Sequence, residues 1–562
     1  RHHCGFNVNN KSHKSNDPPP FVRWMKRQNS IVNTVLFSSP DGYKDSSSSS
    51  STNDDNGKKN WRTAVTCNRD PTAALEELFT KASVSSSQNG RSLALLFVGP
   101  SHGPSFKDIA KEAAEKLGVQ STSIAIMGGG VIGGGQEVDA PPPTSSLKDE
   151  EGDDDGNADD ASYSMSLLYG AIPSTAAATG FCVTNGGLPS SSSGGSMTKP
   201  PSYLLFADPW APLEKIIESL EGKKQGEEEA KTFSPVIAGG ISSPLLTPAG
   251  IVADNCDSTV ALDGAALPRG SAVGISLTGS LGLQTIVAQG CRGVGPSFTV
   301  TSVASTEPGA GRGEDGMEKL QKGNVIMTLD NQPALELLQQ VTERANDEDK
   351  TLLRSGWLLC GISEESASPP VEDTNIQAPR DFLIRQVVGL VPEPKAIVVG
   401  ARVSVGDTFR FHVRAANTAK DDLKLMISRA KTERLFFSTG SSAGVPLAAV
   451  QVSCVGRGKG LYGRSNVDLE IIEELVDGAV AGSDDDDHDE EPPVAGFFAN
   501  GEIGPVGLTG FGNDVSSGTF VHGFTTVVAV LSDFSEDKKK RGDTSSQPAS
   551  STFDDMEEDA WG

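Results

Sequence analysis

The sequence predicts a mixed α/β (α+β) protein of two domains, built from repeated strand–helix–strand units whose mixed sheets are covered by helices. Three observations carry this. A unit of short apolar strand, Gly- or Pro-punctuated loop, amphipathic helix, second strand and glycine cluster is written three times. Strand-like runs alternate with helix-like ones, the order of mixed α/β domains and not of a helical bundle. Within the helical runs, apolar residues fall at three- and four-residue spacing, so each helix lays one stripe against a sheet.

Ordered sequence is expected from Trp61, where WRTAVTC reads as a strand and Asp70-Pro71 opens a helix. The first copy of the unit has a strand at Leu93–Val98, the loop GPSHGPS, a helix from Phe106 to Leu117, a strand at Ser123–Ile126 and GGGVIGGG from Gly128 to Gly135. In its helix, Phe106, Ile109, Ala110, Ala113, Ala114 and Leu117 share one face. The second copy has Tyr203–Phe206, the loop ADPW, a helix from Leu213 to Leu220, Pro235–Ala238 and Gly239-Gly240. The third has Val450–Cys454, VGRGKG, a helix from Val467 to Val476, Val494–Ala499 and NGEIGP. Between the second and third copies, Asn324–Leu329 is a fresh strand. Two β-runs flank Gly406-Asp407, a hairpin or tight turn, and a helix follows over about 420–430. Thr525–Leu531 is mostly apolar and reads as a strand internal to a sheet.

Composition divides the chain. Residues 1–59 are Ser-, Asn- and Asp-rich with six consecutive serines, and read as a disordered or transit-like extension. Domains are expected over 60–304 and 324–532, joined by a polar, glycine-rich linker at 305–323. The first carries Ser-rich and acidic insertions, the second an acidic insertion at 483–493, and 533–562 forms an acidic tail. The net charge of -26 is concentrated in three runs, Asp149–Asp160, Asp484–Glu491 and Asp554–Asp559, which leaves the folding part mildly acidic. No basic stripe with interleaved aromatics remains, which argues against nucleic-acid binding. The seven cysteines are scattered without a CxxC pair, fitting a reducing compartment and no metal site. No apolar run is long enough for a membrane-spanning helix, so a soluble protein is expected.

Three segments hold candidate chemistry. In VAQGCRGVGP, Gln289 can donate and accept, Arg292 offers a planar fork for a carboxylate or phosphate, and Cys291 is either a thiolate source or a small buried hydrophobe. In SCVGRGKG, glycines including Gly458 leave room for an anionic ligand beside Arg457 and Lys459, although the P-loop spacing is absent. In FFANGEIGPVG, Glu502 sits between glycines and suits an ammonium group, while Asn500-Gly501 is also an ordinary tight-turn dipeptide. His522 precedes the last strand, and Cys454, His522 and Glu502 have the residue types of a thiol nucleophile, base and orienter. Arg385 and Arg414 end apolar runs, where snorkelling to water is the commoner role and reaching into a cleft the alternative.

At these residues the sequence resembles the FIST family of tandem N- and C-terminal FIST domains, named for F-box and intracellular signal-transduction proteins. The resemblance rests, in collinear order from about residue 60 to residue 532, on WRTAV, AGGISS, VAQGCR, LDNQPALELL, DFLIRQVVG, GDTFRFHVRAAN, SCVGRGKGLYG, GFFANGEIGPVG and HGFTTVVAV. Gly293 stands where the family pattern usually has proline. The resemblance implies FIST N- and C-terminal domains over 60–304 and 324–532, acting as an intracellular sensor for small ligands such as amino acids, without cofactor or established catalysis. Gln289, Arg292, Arg414, Arg457, Gly458, Asn500, Gly501, Glu502 and His522 are the ligand contacts expected. A separate protein partner would carry the output, in the cytoplasm or an organelle such as a plastid. The alternatives are a protein-interaction adaptor lacking its own F-box and a thiol-dependent hydrolase using Cys454 or Cys291.

Overall fold

The local rules written in the sequence operate as expected. Asp70 caps the helix Pro71–Lys81 by accepting from the Ala73 amide at 2.8 Å, with proline in the first turn. The helix Phe106–Leu117 ends at Gly118, which takes φ +79°. The computed structural model describes residues 61–84, 91–139, 162–184, 200–222, 235–244, 256–306, 322–354, 358–363, 382–437, 444–477, 493–509 and 518–535. The N-terminal extension, the acidic runs, the serine-rich 190–196 stretch and the tail beyond Ser535 lie outside the described residues.

Each copy of the repeated unit forms a parallel strand pair joined through a helix, the long crossover that parallel pairing requires. In the first, Ser92–Val98 runs parallel to Ser121–Met127. In the second, Ser202–Ala207 pairs with Ile237–Ile241, and in the third Val445–Cys454 pairs with Val494–Ala499. All other pairings among the described strands are antiparallel, and each parallel pair sits in a different sheet.

The three sheets are tied together by exchange. After the first pair the chain forms Gly130–Gly133, which joins the third unit's sheet beside Val494–Ala499. The strand Val260–Leu262, following the second pair, joins the first unit's sheet beside Ser121–Met127. Gly501–Gly504, following the third pair, joins the second unit's sheet beside Ile237–Ile241. At the crossing points three backbone hydrogen bonds close a ring: Gly129 N donates to Phe498 O at 2.8 Å, Ser243 N to Met127 O at 2.9 Å, and Asn500 N to Ile241 O at 3.0 Å. The exchange is therefore cyclic. The inner faces of all three sheets share one apolar core, where Phe97, Phe206 and Phe497 meet with ring centroids 5.6–6.4 Å apart. The outer faces are covered by Pro71–Lys81 and Phe106–Leu117, by Leu213–Leu220, and by Ala416–Phe437 with Val467–Asp477.

A fourth sheet closes on itself. Cys291–Ala304, Thr408–Arg414, Leu358–Ser363, Leu383–Val391, Ala396–Ser404 and Lys322–Leu329 pair in that order, and the last pairs back onto the first. Its interior is a separate apolar core around Phe409, Phe411, Val413 and Ile397. Closure leaves no free sheet edge in this ring.

Several details differ from the sequence reading. Gly406-Asp407 makes a tight turn and not a hairpin: Ala396–Ser404 and Thr408–Arg414 do not pair, and Asp407 instead accepts from the Ser404 amide at 2.8 Å. Asn500-Gly501 is a corner where the chain leaves one sheet for another, so the tight-turn reading does not hold. The helix expected at 420–430 spans Ala416–Phe437. The segment 305–323 leads from one barrel strand into another, and Ala304 pairs with Val325 across it. Both halves of the sequence contribute strands to the same sheets, as Leu281–Gln289 beside Thr525–Asp533 also illustrates.

Candidate functional site

The barrel meets the three-sheet body where Leu281–Gln289 passes into Cys291–Ala304. Cys291 pairs with Arg414 at the end of Thr408–Arg414, and Gly290 donates its amide to Phe524 O at 3.0 Å. Cys454 and Ala499 end the third parallel pair at the same place. Carboxyl ends of parallel strands are where α/β proteins place their ligands, because the loops diverge there.

Two glycines admit two guanidinium groups. A Cβ on Gly456 would lie 2.5 Å from Arg414 Nη1, and one on Gly290 would lie 3.1 Å from Arg457 Nη1. Arg414 does not snorkel to water. It is buried, with its guanidinium carbon 5.5 Å from the centroid of the Phe524 ring, because the closed barrel end packs against the body there. Phe524 itself takes φ +67°, a left-handed conformation that costs a bulky residue energy and is characteristic of constrained sites.

Arg457 is 1% exposed. Its Nε and Nη2 donate to Asp468 Oδ2 and Oδ1 at 2.6 and 3.0 Å, and Nη2 also reaches the Tyr462 hydroxyl at 2.8 Å. Tyr462 and Thr526 donate to the same carboxylate at 2.7 and 3.0 Å. Burial alone would raise the Asp468 carboxyl, but the Arg457 charge and these hydrogen bonds outweigh it and hold it below the usual range.

Glu502 is fully buried. Its Oε2 accepts from Thr525 Oγ1 at 2.7 Å and from Thr525 N at 3.2 Å. Burial pushes its carboxyl up to about 8, against the pull of Thr525, Arg457 and Arg414. Among the described residues, Glu502 Oε1, Arg457 Nη1 and Asn500 Oδ1 have no hydrogen-bond partner. Buried polar atoms left so are uncommon and costly.

The other expected contacts are engaged elsewhere. Gln289 donates its side-chain amide to Phe382 O at 2.6 Å, while its backbone amide donates to Asp422 Oδ2 at 2.5 Å. Arg292 turns to the helix Asp347–Arg354, pairing with Asp349 and, at 3.6 Å, with Glu348. The anion held by the Gly458 loop is the protein's own. Asp139 Oδ2 accepts from Lys459 N at 2.5 Å, and a methyl group at Gly458, whose φ is +61°, would overlap the Asp139 carboxylate. Gly501 packs where a Cβ would lie 2.9 Å from Ile241 Cδ1. His522 stands opposite Glu502 on the neighbouring strand, but its Nε2 is 3.0 Å from the carbonyls of both Gly504 and Pro505, so that nitrogen carries the proton and donates. Burial pushes His522 down to about 4 and the Cys291 thiol up to about 12, and raises Cys454 as well.

The structure thus brings together Arg414, Arg457 and Glu502, with Cys291 and Cys454 beside them, and buries Asn500 two residues before Glu502. Sequence reasoning missed Asp468, Tyr462, Thr525 and Asp139. Asp468 alone carried a signal, as an acid in the first turn of an expected helix. Among the described residues no cluster of three or more His, Cys, Asp or Glu is arranged to hold a metal, and no helix is long and apolar enough to cross a membrane.

Comparison with known proteins matches residues 92–307 to the FIST N domain and residues 334–505 to the FIST C domain. The chain is 29% identical over 332 residues to an uncharacterized protein of Mycobacterium tuberculosis, covering 59% of this chain and 68% of that protein. It is 32% identical over 261 residues to an uncharacterized protein of Mycobacterium bovis, covering 46% of this chain and 53% of the relative.

Proposed function

We propose that this chain, which belongs to the FIST family of paired signal-transduction sensory domains, binds a small carboxylate-bearing ligand, with an amino acid as the best fit, at the Arg414, Arg457, Asn500 and Glu502 cluster. The observation that carries this reading is the set of three buried polar atoms without partners, Glu502 Oε1, Arg457 Nη1 and Asn500 Oδ1. A ligand carboxylate suits the guanidinium groups, a ligand ammonium suits Glu502, and the Asn500 carbonyl oxygen accepts a further donor. The ammonium would supply the countercharge that the buried Glu502 carboxyl needs to ionise, so binding releases a proton.

Binding is favoured over thiol hydrolysis by the raised Cys291 and Cys454 thiols and by the commitment of His522 Nε2 to two carbonyls. The site lies where barrel and three-sheet body join, so a ligand with different affinity for two arrangements of that junction would shift their populations and inform a protein partner. A thermal-shift screen of the full chain against the common amino acids tests the reading. At least one should raise the unfolding midpoint, and silence across the panel would remove its support.

A further inference from the structure

A second site lies where the helix Ala334–Arg344 packs against the barrel strand Cys291–Ala304. In its pairing with Thr408–Arg414, the strand Cys291–Ala304 jumps from Val294 opposite Phe411 to Phe298 opposite Phe409, so Gly295, Pro296 and Ser297 bulge out of the ladder. The bulge presses on the helix Ala334–Arg344, where a Cβ on Gly295 would lie 2.9 Å from Val341. Beside this contact, strand and helix part around a cavity of about 490 Å³. That volume falls within the range of small-molecule sites.

The wall chemistry is two-sided. Val294, Phe298, Leu337 and Val341 line the cavity on its apolar side, each 5–8% exposed, and Gln340 and Arg344 line it as well. Arg344 is exposed in the last turn of its helix and has no carboxylate partner among the described residues. The acid in the lining, Asp349, is already matched by Arg292 and by the Asn346 amide at 3.2 Å. The cavity therefore combines an apolar floor with an uncompensated cation at its mouth.

We propose that this cavity binds a free amphipathic carboxylate of medium chain length, with the apolar tail against Val294, Phe298, Leu337 and Val341 and the carboxylate on Arg344 and the Gln340 amide. The site is separate from the buried Glu502 cluster and does not depend on it. Calorimetric titration of the full chain with decanoate, and with decanol as the uncharged counterpart, tests this. Decanoate should bind saturably, decanol about fivefold more weakly, and Arg344→Ala should bring decanoate down to the decanol level. Val341→Trp, which fills the cavity, should weaken both at least about tenfold. If that variant unfolds, Gln340→Trp at the partly exposed margin serves instead. No saturable decanoate binding, or equal binding of acid and alcohol with Arg344→Ala unchanged, would overturn the proposal.

Discussion

Arg457 and Asp468 form a bidentate ion pair in which both side chains are essentially inaccessible, with Nε to Oδ2 at 2.6 Å. The pair fixes the loop after the third parallel strand against the helix Val467–Asp477 and leaves one Arg457 nitrogen directed elsewhere. Removing one partner strands a buried charge, which typically costs about 3–5 kcal/mol. Asp468→Asn should therefore lower the unfolding free energy in urea by that order. The Arg457→Met/Asp468→Leu double variant should lose less than the two single changes added together.

The pH dependence follows from Glu502. Its carboxyl is raised in the fold from the ordinary 4.5 to about 8, so its contribution to stability is fully present below the unfolded value and is lost as pH rises through about 8. Glu137, raised to about 7 by burial and by Asp468, acts in the same direction. Unfolding free energy should fall between pH 6.5 and pH 8, above the range in which the buried neutral His522 and His412, both depressed to about 4, act in the opposite direction. Glu502→Gln should flatten that fall by at most about 1.4 kcal/mol per pH unit, leaving the Glu137 part in place. Denaturant melts of both proteins across the range check this.

Gly458 and Asp139 should couple. Gly458→Ala forces a Cβ into a left-handed backbone and into the Asp139 carboxylate, and should cost at least about 1 kcal/mol. In the Gly458→Ala/Asp139→Ala double variant part of that loss should be recovered. A double-mutant cycle of thermal unfolding measures the interaction.

Thiol accessibility separates the binding and hydrolase readings. Cys67 and Cys182 are exposed, whereas Cys256, Cys291, Cys360 and Cys454 are buried. Brief iodoacetamide treatment of the native chain at pH 8 should modify the first two and spare the other four, as read by peptide mass spectrometry. Rapid modification of Cys454 or Cys291 would favour a reactive thiol.

The local elements were legible because they are local. The spacing of Phe106, Ile109, Ala110, Ala113 and Leu117, and the Asp70-Pro71 entry, depend on neighbours within one or two turns. The triplication was legible too, since each copy repeats the same succession of strand, loop and helix. What the sequence could not convey is partnership at long range. Gly496 pairs with Ile132, Asn500 with Ile241, and Asp139 with Lys459, 320 residues away, and none of these leaves a periodic trace. For the same reason Arg414, Arg457 and Glu502 were recognisable as residue types suited to a ligand, while the diversion of Arg292 to Asp349 and of Gln289 to Phe382 was not. The glycine cluster after the first unit carries no sequence sign of a distant partner, yet Gly129 belongs to the hydrogen-bonded ring that joins the sheets.

The most direct test of the central claim is calorimetric titration of the full chain at pH 7 with the amino acid that most raises its unfolding midpoint, repeated in phosphate and in Tris. The two buffers differ strongly in ionisation enthalpy, so a released proton appears as a difference between the observed heats. Because Glu502 is raised to about 8 and must ionise against a ligand ammonium, the account predicts release of close to one proton per ligand. Glu502→Gln should abolish the buffer difference, and Arg414→Met should weaken binding at least about tenfold. Identical heats in both buffers, or affinity unchanged by both substitutions, would contradict it.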